Sequence, residues 1–196
     1  MSIVIAVAST NFALMMSDGR KTLFENGIPT NEYHETTKKM VRLNSNICLG
    51  FSGDYDASQI IVESFELFNC KQVSLEMVVE CVVKCAKAIT LRELPLLIII
   101  AGKDSNNKFC VVPVSSKNNY QYQFEYPDKH HNFAFQFACP FYDKNEFDNL
   151  VTERIYSKMN TIKTVDELIF RLENLIKNVA NKTTTVNKVI YREMIT

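Results

Sequence analysis

The order of hydrophobic patterns predicts an α+β fold, two layers of antiparallel sheet covered by pairs of helices. Three observations carry this. Short β-rich runs come first, then two stretches of helical period, then strands, then two more helices and a last strand. The helices fall in pairs instead of alternating singly with strands, which argues against a parallel βαβ arrangement. The chain has 196 residues, 46% of them hydrophobic, enough to bury a full core. No repeat, low-complexity tract or linker interrupts it, so residues 1–196 are expected to form a single domain.

Each element has its own signal. Residues 3–8 and 12–16 are β-type runs around Ser9-Thr10-Asn11, a hairpin pattern. Residues 21–36 are polar, hold Gly27 and Pro29, and predict a long loop or irregular hairpin. Residues 40–43 and 47–51 predict a strand pair around Asn44-Ser45-Asn46. Over residues 56–69 the period changes: Ile61, Phe65 and Phe68 fall at helical spacing, with an Asp placed to cap. Ser74 can cap a second helix reaching residue 92, with Val78, Val82 and Cys85 on one side, and Pro95 ends it. Strand patterns return at residues 96–102, 109–114, 120–126 and 133–138, with a polar turn at 103–108. Two helices follow, over residues 146–159 and 165–179. The second opens on Thr164-Val165-Asp166-Glu167, a capping-box pattern. Residues 186–195 alternate partially and predict a closing strand.

Charge and cysteine content exclude several function classes. Lys plus Arg and Asp plus Glu both total 22, so the formal net charge is zero. A phosphate-backbone binder needs a basic face, so no nucleic-acid partner is expected. Zero net charge also leaves little long-range repulsion between copies, which permits self-association. Cys48, Cys70, Cys81, Cys85, Cys110 and Cys139 form neither a CxxC pair nor a Cys/His cluster. They are expected to be small buried side chains in a reducing compartment. His34, His130 and His131 fit no ligand spacing, and neither metal nor cofactor is expected. No basic segment precedes the first strand, and the longest apolar run, residues 96–101, is too short to span a bilayer. A cytoplasmic location without a membrane partner is the expectation.

Chemistry concentrates in the first third of the chain. Ser2 follows Met1 and opens the strand Ile3-Val4-Ile5-Ala6-Val7. Then come Ser17-Asp18-Gly19-Arg20, Lys38-Lys39-Met40-Val41-Arg42-Leu43 and Gly50-Phe51-Ser52-Gly53-Asp54-Tyr55-Asp56-Ala57. A hydroxyl beside the chain terminus, a carboxylate, a lysine and a glycine turn are the parts of an N-terminal nucleophile site. A serine hydroxyl is a poor nucleophile and needs a base. Once Met1 is removed, the Ser2 α-amine, with a reference pKa of about 7.7–8.0, can take the hydroxyl proton.

In order and spacing these stretches resemble the proteasome β-subunit family and its bacterial relative, the HslV peptidase. The resemblance implies a four-layer α-β-β-α sandwich of two antiparallel sheets flanked by helix pairs, the N-terminal nucleophile (Ntn) hydrolase fold. It implies hydrolysis of peptide or other amide bonds, with Ser2 as nucleophile where the family more often uses Thr. Asp18 and Lys39 would stand beside it. Lys39 would favour the neutral amine, Asp18 would hold Lys39, and the Gly53 N–H would stabilise the oxyanion, a donor worth roughly 3–4 kcal/mol. A ring-like homo-oligomer and an ATPase unfoldase partner are also implied. The chain departs from the family pattern in three places. The loop between Asp18 and Lys39 is longer. Phe135-Gln136-Phe137-Ala138-Cys139-Pro140 stands where a Gly-Ser-Gly turn is expected. No acid occupies residues 180–183, where a second aspartate is expected. These departures favour the alternative, a non-catalytic proteasome-type subunit acting as an assembly scaffold.

Overall fold

Strand β1 (Val4–Ser9) is buried at every position, so it is covered on both faces and flanked on both edges. That is why its sequence reads as a continuous apolar run instead of an alternating one. It pairs antiparallel with β2 (Ala13–Asp18), Val4 opposite Ser17, and with β9 (Phe133–Ala138), Val4 opposite Ala138. The last strand, β10 (Ile190–Ile195), adds to the far edge of β2 and completes the order β10-β2-β1-β9. The computed structural model describes residues 3–26, 28–66, 72–89, 94–127, 132–139 and 144–196.

A second four-stranded antiparallel sheet has the order β5-β6-β7-β8, from Met40–Asn44, Ile47–Gly53, Leu96–Lys103 and Phe109–Ser115. Its inner strands are again apolar and almost wholly buried. Helices α1 (Tyr55–Glu66) and α2 (Leu75–Ala88) pack on it through Ile61, Phe65, Val78 and Val82 against Leu49, Ile98 and Val112. Helices α3 (Lys144–Arg154) and α4 (Val165–Lys182) pack on the first sheet through Phe147, Val151, Leu168 and Leu172 against Ile5, Leu14 and Met16. A third apolar cluster joins the two sheets through Val4, Ala6 and Met15 from one and Cys48, Ile99 and Val111 from the other.

The expected four-layer α-β-β-α sandwich of two sheets is corrected here. The described residues form three antiparallel sheets and four α-helices, a mixed α+β fold. The third sheet is the pair β3 (Lys21–Glu25) and β4 (Ile28–His34), within the stretch read as a loop or irregular hairpin. Nearly every residue of β4 is exposed, because this polar segment has no apolar face to bury. Residues 120–126, read as a strand, make only an isolated bridge between Glu125 and Val111. The third helix ends at Arg154, and Tyr156–Thr161 tightens into a 3-10 turn.

Helix starts follow the sequence signals. The Asp54 carboxylate accepts the Ala57 N–H at 2.9 Å, one turn before α1 deepens into the core. The Ser74 hydroxyl accepts from Met77 N–H at 3.3 Å, and Thr164 from Glu167 N–H at 3.1 Å. Of the cysteines, Cys48 and Cys110 are buried, and desolvation pushes both thiols up to about 12. Cys85 and Cys139 are half-buried, while Cys81 is exposed, on the side of α2 away from its core face, contrary to expectation. Cys70 lies outside the described residues, as do Phe68 and Gly27. The second helix, expected to reach residue 92, ends at Ala88, where extended Ile89 donates its N–H to the Cys85 carbonyl.

The two faces of α4 supply a stability test. Leu172 is fully buried, so Leu172→Ala should cost about 2–5 kcal/mol in urea unfolding. Phe170, two residues away, is 63% exposed, and Phe170→Ser should change the unfolding free energy by no more than about 0.5 kcal/mol.

Candidate active site

The register of β1 against β2 starts with Val4 opposite Ser17 and brings Ile3 alongside Asp18. Asp18 N–H donates to the Ile3 carbonyl at 3.3 Å, as a ladder pair should. The return bond goes elsewhere: Ile3 N–H donates to the Asp18 side chain, Oδ1, at 2.9 Å. Lys39 Nζ donates to the same Oδ1 at 2.6 Å. The other oxygen, Oδ2, accepts Arg20 N–H at 2.9 Å and Asn187 N–H at 3.3 Å. Asp18 is 0% exposed and Lys39 4%. A carboxylate so placed needs both an opposite charge and several donors, and it has them.

Lys39 reaches this point because its backbone is fixed just before β5, where its carbonyl accepts Phe51 N–H at 2.9 Å. Burial holds its ammonium below the ordinary lysine range, against the opposing charge and hydrogen bond of Asp18.

A second tier of polar contacts backs the pair. Asn187 Oδ1 accepts Gly19 N–H at 2.9 Å, and Asn187 Nδ2 donates to the Glu35 carbonyl at 2.8 Å and to Glu35 Oε2. Arg20 Nη2 donates to Glu35 Oε1 at 2.6 Å, its Nη1 donates to the Thr184 carbonyl, and its guanidinium lies 4.2 Å from the centre of the Tyr33 ring. A Cβ at position 19 would meet the Glu35 carbonyl at 2.8 Å, so glycine is what lets this tier close over the turn.

Gly53 ends β6 with φ of +99°, and a Cβ there would stand 1.8 Å from the Pro95 carbonyl oxygen. Only glycine fits both conditions. Asp54 N–H then donates to that same Pro95 oxygen at 3.0 Å, turning the chain into α1. Gly53 and Lys39 line one cleft of about 290 Å³, whose walls include Phe51, Tyr55 and Val62.

Of the four candidate site residues, Asp18 and Lys39 are in direct contact, and Gly53 shares the Lys39 cleft. Ser2 lies outside the described residues, as do Pro140, His130 and His131. His34 is exposed on β4. Residues 133–138 are a ladder strand, β9. No acid stands at residues 180–183, and the backbone and side chain of Asn187 approach Asp18 and Gly19 instead. Asn187 and Glu35 were not singled out in the sequence, and no local pattern marks them. Arg20 is engaged by Glu35 and by the Thr184 carbonyl. Among the described residues, no group of three or more His, Cys, Asp or Glu side chains could hold a metal. No helix among them is long and apolar enough to cross a membrane.

The hydrogen bond from Arg20, then that from Asn187, holds the Glu35 carboxyl below its usual range. A lowered carboxyl pKa stabilises the fold above the unfolded value of about 4.3, and that contribution is lost as pH falls through the folded value. Glu35→Gln should therefore be less stable than the parent at neutral pH. The gap should close below about pH 4 when urea midpoints are compared across pH.

No family model and no curated protein sequence matches the chain. A solved structure it matches is the Anbu complex from Pseudomonas aeruginosa, described as a helical assembly. The match has a TM-score of 0.73 and 8% identity, covering 99% of this chain and 80% of that one. At that identity the likeness shows a shared fold. The motif resemblance to proteasome β-subunits and HslV is thereby corrected: it does not hold as a family assignment. Two of its matching residues have structural roles in this chain, a carboxylate closing β1 on β2 and a glycine at the entry to α1. Such residues mark an architecture without marking one family within it.

Proposed function

We propose that the chain is an N-terminal nucleophile hydrolase of amide bonds, with Ser2 as nucleophile once its α-amine is free. The observation that carries this is the single oxygen, Asp18 Oδ1, that receives both Ile3 N–H and Lys39 Nζ. Ser2 is the residue next before Ile3, so the chain is tied down beside a buried ammonium one residue from the proposed nucleophile. In the proposed reaction the Ser2 hydroxyl gives its proton to the α-amine and attacks the acyl carbon. The Gly53 N–H donates a hydrogen bond to the developing oxyanion. The tetrahedral species collapses, and the leaving amine takes the proton from the α-ammonium. Water then cleaves the ester by the same route, restoring Ser2. Lys39 keeps the α-amine in its basic form, and Asp18 holds Lys39 in place.

One observation favours the alternative of a non-catalytic subunit. The Asp18 carboxylate has four donors from the chain itself, so the pair is satisfied without a substrate. Kinetics separate the two readings. With the N-terminus verified by intact mass, the parent should turn over fluorogenic peptide amides and Ser2→Ala should not. Lys39→Ala should lose about 100-fold or more, and the double variant should be no worse than Ser2→Ala, since such groups act as a unit. Turnover unchanged in Ser2→Ala would leave the scaffold reading.

Homo-oligomerisation is part of the same proposal, supported by the assembly formed by the Pseudomonas aeruginosa neighbour. Whether such contacts close into a ring or run on as a helix depends on the rotation between copies. Light scattering at micromolar concentration should give a multiple of the protomer mass, and a monomer would overturn it.

A further inference from the structure

The cleft beside Lys39 and Gly53 has a charge polarity of its own. Helix α1 lines it with Tyr55, Ser58, Gln59, Val62 and Glu66, spaced so that all lie along one stripe. Tyr55 is the first residue of α1 and stands at the Gly53 end. Glu66 is the last, roughly 16 Å further along the axis. From β3 come Lys21 and Thr22.

The three lysines of the cleft are not equivalent. Lys39 is held by Asp18 and Lys38 by Glu193, each at 2.6 Å. Lys21 Nζ lies 3.7 Å from the centre of the Tyr55 ring. Its carboxylate contact, Asp56 Oδ1, is also at 3.7 Å, on a side chain 91% exposed. A contact that long, to a solvated carboxylate, neutralises little. Next to it Thr22 is only 7% exposed, and its buried hydroxyl has no hydrogen-bond partner among the described residues. A loosely paired ammonium beside an unused hydroxyl, at the Gly53 end of a cleft whose carboxylate sits at the other end, is a receptor for a carboxylate.

Resting on the hydrolase reading, we infer that this end of the cleft selects substrates with an acidic side chain adjoining the bond to be cleaved. The carboxylate takes a charge-assisted hydrogen bond from Lys21 Nζ and a second from the Thr22 hydroxyl. Glu66 disfavours further negative charge at the far end, so one acidic residue, not an acidic run, is preferred.

The test uses the full chain and peptide amides differing only in the residue before the reporter group: Glu, Leu or Arg. The Glu peptide should show a kcat/KM at least about tenfold above the other two. Lys21→Gln should erase that preference, and Lys21→Glu should invert it toward Arg. Thr22→Val should lower turnover of the Glu peptide alone. Preference for Leu or Arg by the parent, or an unchanged order in Lys21→Glu, overturns the inference. If no peptide is cleaved, the hydrolase reading has failed, and binding decides the cleft separately. Calorimetric titration with the uncleaved Glu and Leu peptides should then show tighter binding of Glu, lost in Lys21→Glu. Equal binding of the two overturns the inference independently of catalysis.

Discussion

A carboxylate without access to water is tolerable only where the chain brings donors to it, and Asp18 has collected four. They come from Ile3 at the start of β1, Arg20 in the turn after β2, Lys39 before β5 and Asn187 ahead of β10. Four separated segments thus converge on one charge. Removing one partner of a buried ion pair typically costs about 3–5 kcal/mol, because the other charge stays behind unmatched. The site is therefore also a structural knot. Any chemistry assigned to Lys39 is performed by a group the fold cannot easily release.

The same pair joins the two large sheets. Asp18 belongs to β2, while the backbone of Lys39 is held by Phe51 of β6. Apolar packing between the sheets is broad and non-directional, through residues such as Val4, Met15 and Ile99. The ion pair adds direction at one edge, setting how the strand carrying Gly53 lies relative to the start of β1. Ser17, adjoining Asp18 and fully buried, keeps a hydroxyl with no partner among the described residues, a local cost in the same region.

Elements with strong apolar signals were legible in the sequence. The runs that became β1, β6 and β7 are buried on both faces, and the caps at Ser74 and Thr164 work as their residue types indicate. The polar hairpin β3–β4 was not legible as a sheet of its own, because it lacks the alternation that burial of one face imposes. Residues 120–126 carry β-favouring aromatics yet form one bridge, since strand formation there needed a neighbour that tertiary packing did not supply. In the site, the Asp18–Lys39 contact could be anticipated from motif spacing. The roles of Asn187 and Glu35 could not, since each acts through a polar contact with a residue distant in sequence and leaves no periodic trace.

Asp18 and Asn187 lie 169 positions apart, which ties completion of the site to the timing of synthesis. At ordinary ribosomal speed, roughly 10–30 s separate the emergence of the two residues. Throughout that interval the carboxylate lacks one of its donors, and burying it is correspondingly less favourable. The N-terminal hairpin can form early, but its charged end stays wet until β10 arrives. A stalled or truncated polypeptide would carry Asp18 and Lys39 in its sequence without the full set of contacts that surrounds them. On the proposed chemistry, hydrolytic competence becomes a property of a chain synthesised through Asn187, withheld from shorter fragments that could damage their surroundings.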